Sequence, residues 1–228
     1  MAFGLGPFLA ITAVVAVILL KQPNTGIFVV TALAGVCLYM IAGGRWKHFA
    51  LISTAGILVL GFLIVTRPYV LDRFETFFRP SVASQQNEGY QIRQSLIAVG
   101  SGGVFGRGLG QSIQKFSYLP EPIGDSIFAV LSEELGFVGS VFTVLLFSVF
   151  ALLGFKVAAR VTDMFSRLVA SGIVILITGQ SFLNIAAILN LFPLSGIPIL
   201  FISQGGTALM FALLELGILL NISRYQEH

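Results

Sequence analysis

The acid best suited to chemistry in this sequence is Asp125. It follows the turn Pro120-Glu121-Pro122-Ile123-Gly124 and opens the run SIFAVLSEELG. A residue so placed can cap a first helical turn by accepting a backbone hydrogen bond. Partly desolvated at a membrane edge, the same carboxylate acquires a raised pKa and can serve as a general base. The two roles are compatible. Ahead of it lies the glycine-rich stretch GSGGVFGRGLGQSIQKFSYLPEPIG, residues 100–124, with Arg107 and Lys115. Phosphate binding is the first chemistry that such glycines raise. A phosphate loop needs lysine followed by Ser or Thr after its glycines, and a dinucleotide fingerprint needs GxGxxG between a strand and a helix. Neither pattern occurs, so the spacing favours glycines that let irregular backbone pack against helix tops.

Other polar groups stand out against an apolar background. Glu133 and Glu134 precede an uncharged run, and acids near membrane depth normally face a cavity or a cation. An equally good reading has one of them solvated and the other paired with a loop arginine. Glu215 sits between Leu214 and Leu216, where burial as a neutral acid, pairing with a cation, or snorkelling toward a helix end are the options. Gln180, Ser181 and Asn184 fall within an arc of roughly 100° on a helix. Interhelical hydrogen bonding is the favoured purpose of that stripe, and a hydrophilic groove is the alternative. In 193–210, PLSGIPILFISQGGTALM, two prolines and a Gly-Gly pair predict a broken or re-entrant helix entrance. Irregular backbone is tolerated at membrane depth only when protein shields it or it lines water. Cys37 is the only cysteine, His48 and His228 stand apart, and neither HExxH nor GxSxG occurs. A disulfide framework, a protein-built transition-metal site and a serine triad are therefore not expected.

The elements that must position these groups are membrane helices. Of 228 residues, 56% are hydrophobic and only 10% charged, and the mean hydropathy is +0.95. Ordinary soluble domains run to roughly 45–50% apolar residues. Six segments approach the roughly 20 apolar residues a bilayer core requires: 3–20, 26–42, 49–66, 137–155, 168–191 and 199–222. The first lacks the basic start and cleavage site of a secretory signal and reads as a retained helix. Placing both termini in the cytoplasm puts Arg45, Lys47, Lys156, Arg160, Arg167 and Arg224 inside and leaves Lys21 in the short outer connections. The expectation is an all-α polytopic membrane protein, one bundle over 1–228, with six transmembrane helices and a large extracytoplasmic loop over 67–125. A connection that long without obvious regular structure is functional or disordered, and its recurrent aromatic residues argue against disorder. Within it, 67–79 reads as an amphipathic helix lying on the membrane. The net charge of +3 is scattered through loops, which gives nucleic-acid binding no support.

Long phrases of the chain resemble the FtsW/RodA family of shape, elongation, division and sporulation proteins. They are NEGYQIRQSLIAVGSGGVFGRGLGQSIQKFSYLPE, GDSIFAVLSEELGFVG, LFPLSGIPILFISQGGTALM and GILLNISR, with KQPNTG similar to an earlier QPDxG motif. The resemblance implies a ten-helix cell-wall polymerase of which these segments match helices five to ten, the first four being absent. It implies that lipid II is joined into glycan strands with release of undecaprenyl pyrophosphate. Asp125 matches the family's essential outer-loop aspartate, which would deprotonate the acceptor hydroxyl. Arg93, Arg107 and Lys115 are the cations at hand for the leaving pyrophosphate, while Gln111 and Ser112 could hydrogen-bond sugars. Glu133, Glu134, Gln180, Asn184, Ser203 and Gln204 complete the candidate substrate-contacting set. No cofactor is fixed by the sequence; a divalent cation, Mg or Mn, near the pyrophosphate is the one candidate. The implied location is the bacterial inner membrane, beside a class B penicillin-binding protein transpeptidase and other divisome or elongasome proteins, in contact with membrane lipid. Departures are Asn24 for the motif aspartate, Ile123-Gly124 for a usual His-Thr, Gln204 within FISQGGTA, and Glu215 in a normally apolar place. A six-helix piece is expected to be poorly stable or inactive alone. The alternatives are a translocator of lipid-linked precursors, with Glu215 and the polar stripe as its pathway, and a non-catalytic scaffold.

Overall fold

The computed structural model describes residues 2–21, 25–66, 68–78 and 88–224. Asn24 and His228 fall outside that set. In chain order the helices are α1 (Ala2–Lys21), α2 (Thr25–Ile41), α3 (Trp46–Thr66), α4 (Pro68–Phe78), α5 (Glu88–Ser101), α6 (Gln114–Ser117), α7 (Ile127–Arg160), α8 (Met164–Ile188) and α9 (Gly206–Ser223). Strands are absent among the described residues. By length and composition α7, α8 and α9 can cross a membrane, and α1, α2 and α3 contain the shorter apolar helices Phe8–Leu19, Gly26–Ile41 and Trp46–Val59.

Helix α8 is the axis of the bundle. It packs on α2, α7, α9 and α5, and 56% of its most apolar window is buried, against 17% in α7 and in α9. Without a hydrophobic force between lipid-immersed helices, close approach at small residues supplies the packing. At Gly154 of α7 a β-carbon would stand 2.3 Å from Val174 Cγ2 of α8. Val174, Ile177 and Ala170 of α8 form a buried cluster there with Ala158 of α7 and Ala212 and Leu219 of α9. At the opposite end of α8, Ile185 and Ile188 join Phe128 and Phe147 of α7, Ile92 of α5, and Leu194 and Ile199. Asp163 starts α8 as an N-cap, accepting from the Ser166 amide at 2.8 Å.

Three expectations are corrected. The predicted span 199–222 is helical only from Gly206. Pro198 lacks an amide donor, and Gly196 and Phe201 have φ of 62° and 70°, which no continuous helix contains. The span predicted over 137–155 extends back to Ile127, across a break at Gly136 with φ 67° and ψ −164°. The stretch read as lacking regular structure carries α5 and α6 besides the amphipathic α4. Helix α5 escaped notice because its buried face, Gly89, Ile92, Ser95 and Ala98, is mostly small or polar. That face recurs every three residues and packs against α7.

Candidate functional site

Asp125 lies in the turn before α7, and α7 begins one residue after the Ser126 cap position, whose side chain makes no capping bond. The carboxylate does not cap the helix either. It accepts from Gln91 Nε2 of α5 at 3.1 Å and from the Ser126 hydroxyl at 3.4 Å. Gln91 Nε2 also donates to Ser126 Oγ at 2.9 Å. Burial holds the carboxyl above the ordinary aspartate value. The negative charge of Glu121 pushes the same way, while the Gln91 amide and the Ser126 hydroxyl pull back.

The turn that presents Asp125 is bonded at three successive carbonyls. Gln204 N–H donates to Ile123 O at 2.8 Å, Ser203 Oγ to Gly124 O at 2.7 Å, and Asn184 Nδ2 to Asp125 O at 2.7 Å. The predicted residues Asn184, Ser203 and Gln204 thus converge on the backbone of Asp125. Asn184 Nδ2 also donates to Ile197 O at 2.5 Å, and Gln180 Nε2 to Pro198 O at 3.0 Å. Two members of the polar stripe therefore bond the irregular stretch before α9, which answers how its carbonyls are satisfied away from water. Ser181 instead donates within α8, to Ile177 O.

The glycine-rich stretch repairs the break in α7. Kinking at Gly136 frees two carbonyls and two amides of the helix ladder, and each finds a partner in the loop. Arg107 N and Gly108 N donate to the Glu133 and Glu134 carbonyls at 3.0 and 2.9 Å. Phe137 N and Val138 N donate to Gly103 O and Val104 O at 2.9 and 3.1 Å. A β-carbon at Gly106 would lie 2.1 Å from Glu134 O, and one at Gly102 2.1 Å from Ser132 O. Glycine is required because two backbones touch here.

Glu133 and Glu134 secure the same loop: Glu133 meets the loop arginine Arg107, as one reading expected, and Glu134, partly exposed, meets Lys115. Glu133 is fully buried. Its carboxylate accepts from Ser112 Oγ at 2.6 Å, from the Ile113 and Gln114 amides at 3.2 Å each, and from Ser101 Oγ at 3.3 Å, with Arg107 Nε at 3.5 Å. Glu134 pairs with Lys115 Nζ at 2.6 Å. The cations Arg107 and Lys115 thus already face carboxylates. Arg93 and Gln111 are exposed, and Arg93 has no carboxylate partner among the described residues. Removing the Glu133 carboxylate leaves buried donors and Arg107 unmatched. Glu133→Ala is expected to cost about 3 kcal/mol or more, measured as the loss of thermal stability in detergent.

Glu215 lies on α9, half-buried, and takes no part in the hydrogen bonds around Asp125, Glu133 and Glu134. The residue that sequence reasoning missed is Gln91. It lies 34 positions before Asp125, and no spacing rule joins an amide on one helix to an acid beyond a glycine loop. The only available signal was its place beside Ile92, on the edge of a short helical repeat.

Comparison with known proteins covers nearly the whole chain. The family model for the FtsW, RodA and SpoVE cell cycle proteins matches residues 3–228. Stage V sporulation protein E of Bacillus subtilis is 42% identical, over 99% of this chain and 61% of its own length. The probable peptidoglycan glycosyltransferase FtsW of Taylorella equigenitalis is 36% identical, over 96% of this chain and 61% of its own. The chain therefore spans about three fifths of the length of these relatives. A solved chain, from work on the coordination of polymerisation and crosslinking by a peptidoglycan synthase complex, superposes with a TM-score of 0.76. It covers 96% of this chain and 62% of that one at 23% identity, and so establishes the shared fold. With helices, motifs and family model in agreement, this chain belongs to the FtsW/RodA/SpoVE family of multi-pass membrane proteins.

Proposed function

We propose that this chain carries the catalytic part of a peptidoglycan glycan-strand polymerase that uses lipid II, with Asp125 as the general base. The observation that supports this most is the state of that carboxylate. It is half-buried, bonded by a neutral amide rather than an ion pair, and spent on no helix cap. A half-buried, unneutralised acid with raised proton affinity is what base catalysis near neutral pH requires.

In the proposed step the acceptor hydroxyl gives its proton to Asp125. Its oxygen forms the new bond to the donor's anomeric carbon, and the bond from that carbon to the pyrophosphate oxygen breaks. Undecaprenyl pyrophosphate leaves with the electron pair. Negative charge gathering on it calls for a cation, and of Arg93, Arg107 and Lys115 only Arg93 has no carboxylate facing it among the described residues. It lies on a different side of α5 from Gln91, so its proposed role is toward the pyrophosphate and not toward Asp125. A divalent cation would have to draw its ligands largely from the pyrophosphate and water. No group of three or more His, Cys, Asp or Glu converges among the described residues, and no step here depends on a metal. The inner membrane, with Asp125 on its outer face and both termini inside, is the proposed setting. A class B penicillin-binding protein is the proposed partner, in line with the synthase complex that supplied the structural neighbour.

The translocator reading needs a polar pathway. Gln180 and Asn184 already donate to backbone carbonyls, which leaves that reading chiefly Glu215. Strand synthesis from lipid II should therefore be lost in Asp125→Ala and kept within about twofold in Glu215→Gln. The opposite pattern in a gel assay of glycan strands would favour translocation.

A further inference from the structure

We infer that Gln91 is the positioning residue for Asp125: its side-chain amide sets where the carboxylate points and how readily it takes a proton. The inference rests on the reading of Asp125 as the base. It names a residue on a different helix, beyond the glycine loop, that controls that base.

The geometry is specific. Gln91 Nε2 reaches Asp125 Oδ1 at 3.1 Å and Ser126 Oγ at 2.9 Å, so one amide group bridges two adjacent side chains of the turn. The Ser126 hydroxyl lies 3.4 Å from the same Oδ1. That oxygen is therefore occupied by neutral donors, and Oδ2 is the atom left for a substrate hydroxyl. Oδ2 also faces Gly196, where a β-carbon would stand 3.9 Å away. A substrate approaching Oδ2 there would meet a side chain at any residue but glycine.

Gln91 is itself fixed by its helix. Its neighbour Ile92 is 1% exposed and belongs to the cluster formed with Phe128 of α7 and Ile185 of α8. The three backbone bonds to the Ile123, Gly124 and Asp125 carbonyls hold the turn, but none touches the carboxylate. Gln91 is therefore the only hydrogen-bond donor to the carboxylate from another element among the described residues. Among the described residues, Glu121 of the same turn is the charged group that acts on the carboxylate. Helix α8 offers the neutral Asn184, and residues 190–205 contain no charged side chain. Arg93, two positions after Gln91, points to a different side of α5, since successive helical residues are about 100° apart. With so little charge nearby among the described residues, one amide donor carries unusual weight. An N–H aimed at a carboxylate favours its ionised form, and its loss favours the protonated one.

Two variants test this. Gln91→Leu removes the donor at similar size, and Gln91→Glu keeps the shape while placing a second acid against Asp125. Proton occupancy is read directly by labelling the protein in its membrane with a hydrophobic carbodiimide, which reacts with protonated carboxyls, and scoring Asp125 by mass spectrometry across pH. Strand synthesis from lipid II is followed on the same membranes. Both variants should move the labelling midpoint of Asp125 to higher pH, Gln91→Glu further than Gln91→Leu. They should lower kcat about tenfold to a hundredfold at neutral pH with KM nearly unchanged, and recover part of it as the pH is raised. A labelling midpoint and a pH profile identical to the parent in both variants overturn the inference and leave the role of Asp125 standing. Strand synthesis that persists in Asp125→Asn overturns the role of the base, and the positioning role with it.

Discussion

Asp125→Asn is expected to abolish strand synthesis while leaving the protein at least as stable as the parent at neutral pH. The loss follows from removing the base, a contribution of about 10²–10⁴-fold in rate. The stability follows from linkage. Burial raises the proton affinity of Asp125 in the folded state above that of the unfolded chain. The folded protein then binds more protons, so stability falls as pH rises through the window above the ordinary aspartate value. At neutral pH the ionised carboxylate is a cost to the fold, and an amide of the same shape avoids it. Thermal unfolding of both proteins in detergent at pH 4 and pH 8 checks this. The variant should gain on the parent at the higher pH and lose that advantage at the lower one. A destabilised Asn variant at pH 8 would mean that the carboxylate holds the turn together instead of working within it.

Gly136→Ala is the second large effect. Its φ of 67° with ψ of −164° lies in a region open essentially to glycine alone, and other residues pay about 1–3 kcal/mol there. A β-carbon would also stand 2.3 Å from Gly106 N and 2.6 Å from Val104 O. Separating those backbones breaks the four hydrogen bonds that close the gap in α7. Gly136→Ala should therefore cost about 3 kcal/mol or more, and the loop should become open to protease between Gly103 and Gly110 while α8 and α9 stay protected. Limited proteolysis in detergent is the check, with unchanged cleavage as the contrary result.

Hydropathy carried the long helices, because about 20 apolar residues in a row admit few other structures in a bilayer. It misled at 199–205, where buried apolar side chains such as Ile199 and Leu200 line an irregular backbone. Hydropathy registers burial and not dihedral angles. The Pro and Gly residues marked that break, and the stripe of Gln180 and Asn184 marked its supports. Asp125 was legible through its turn and its motif. The helix break at Gly136 was not, since a glycine within an apolar run is also an ordinary packing residue. Its meaning depends on the backbone of Gly103 and Val104, some thirty residues earlier. Glu133 was ambiguous for a similar reason: its donors, Ser112 and the amides of 113 and 114, are gathered only when the loop folds back.

The central claim is that one half-buried acid, held by an amide, takes the proton in sugar transfer between lipid carriers. Single-turnover synthesis from labelled lipid II, with lipid II binding measured on the same membranes, separates the proton step from substrate capture. Asp125→Asn should bind lipid II within a few-fold of the parent and form no new glycosidic bond, a fall of at least about a hundredfold. Bond formation at near-parental rate in that variant would contradict the account.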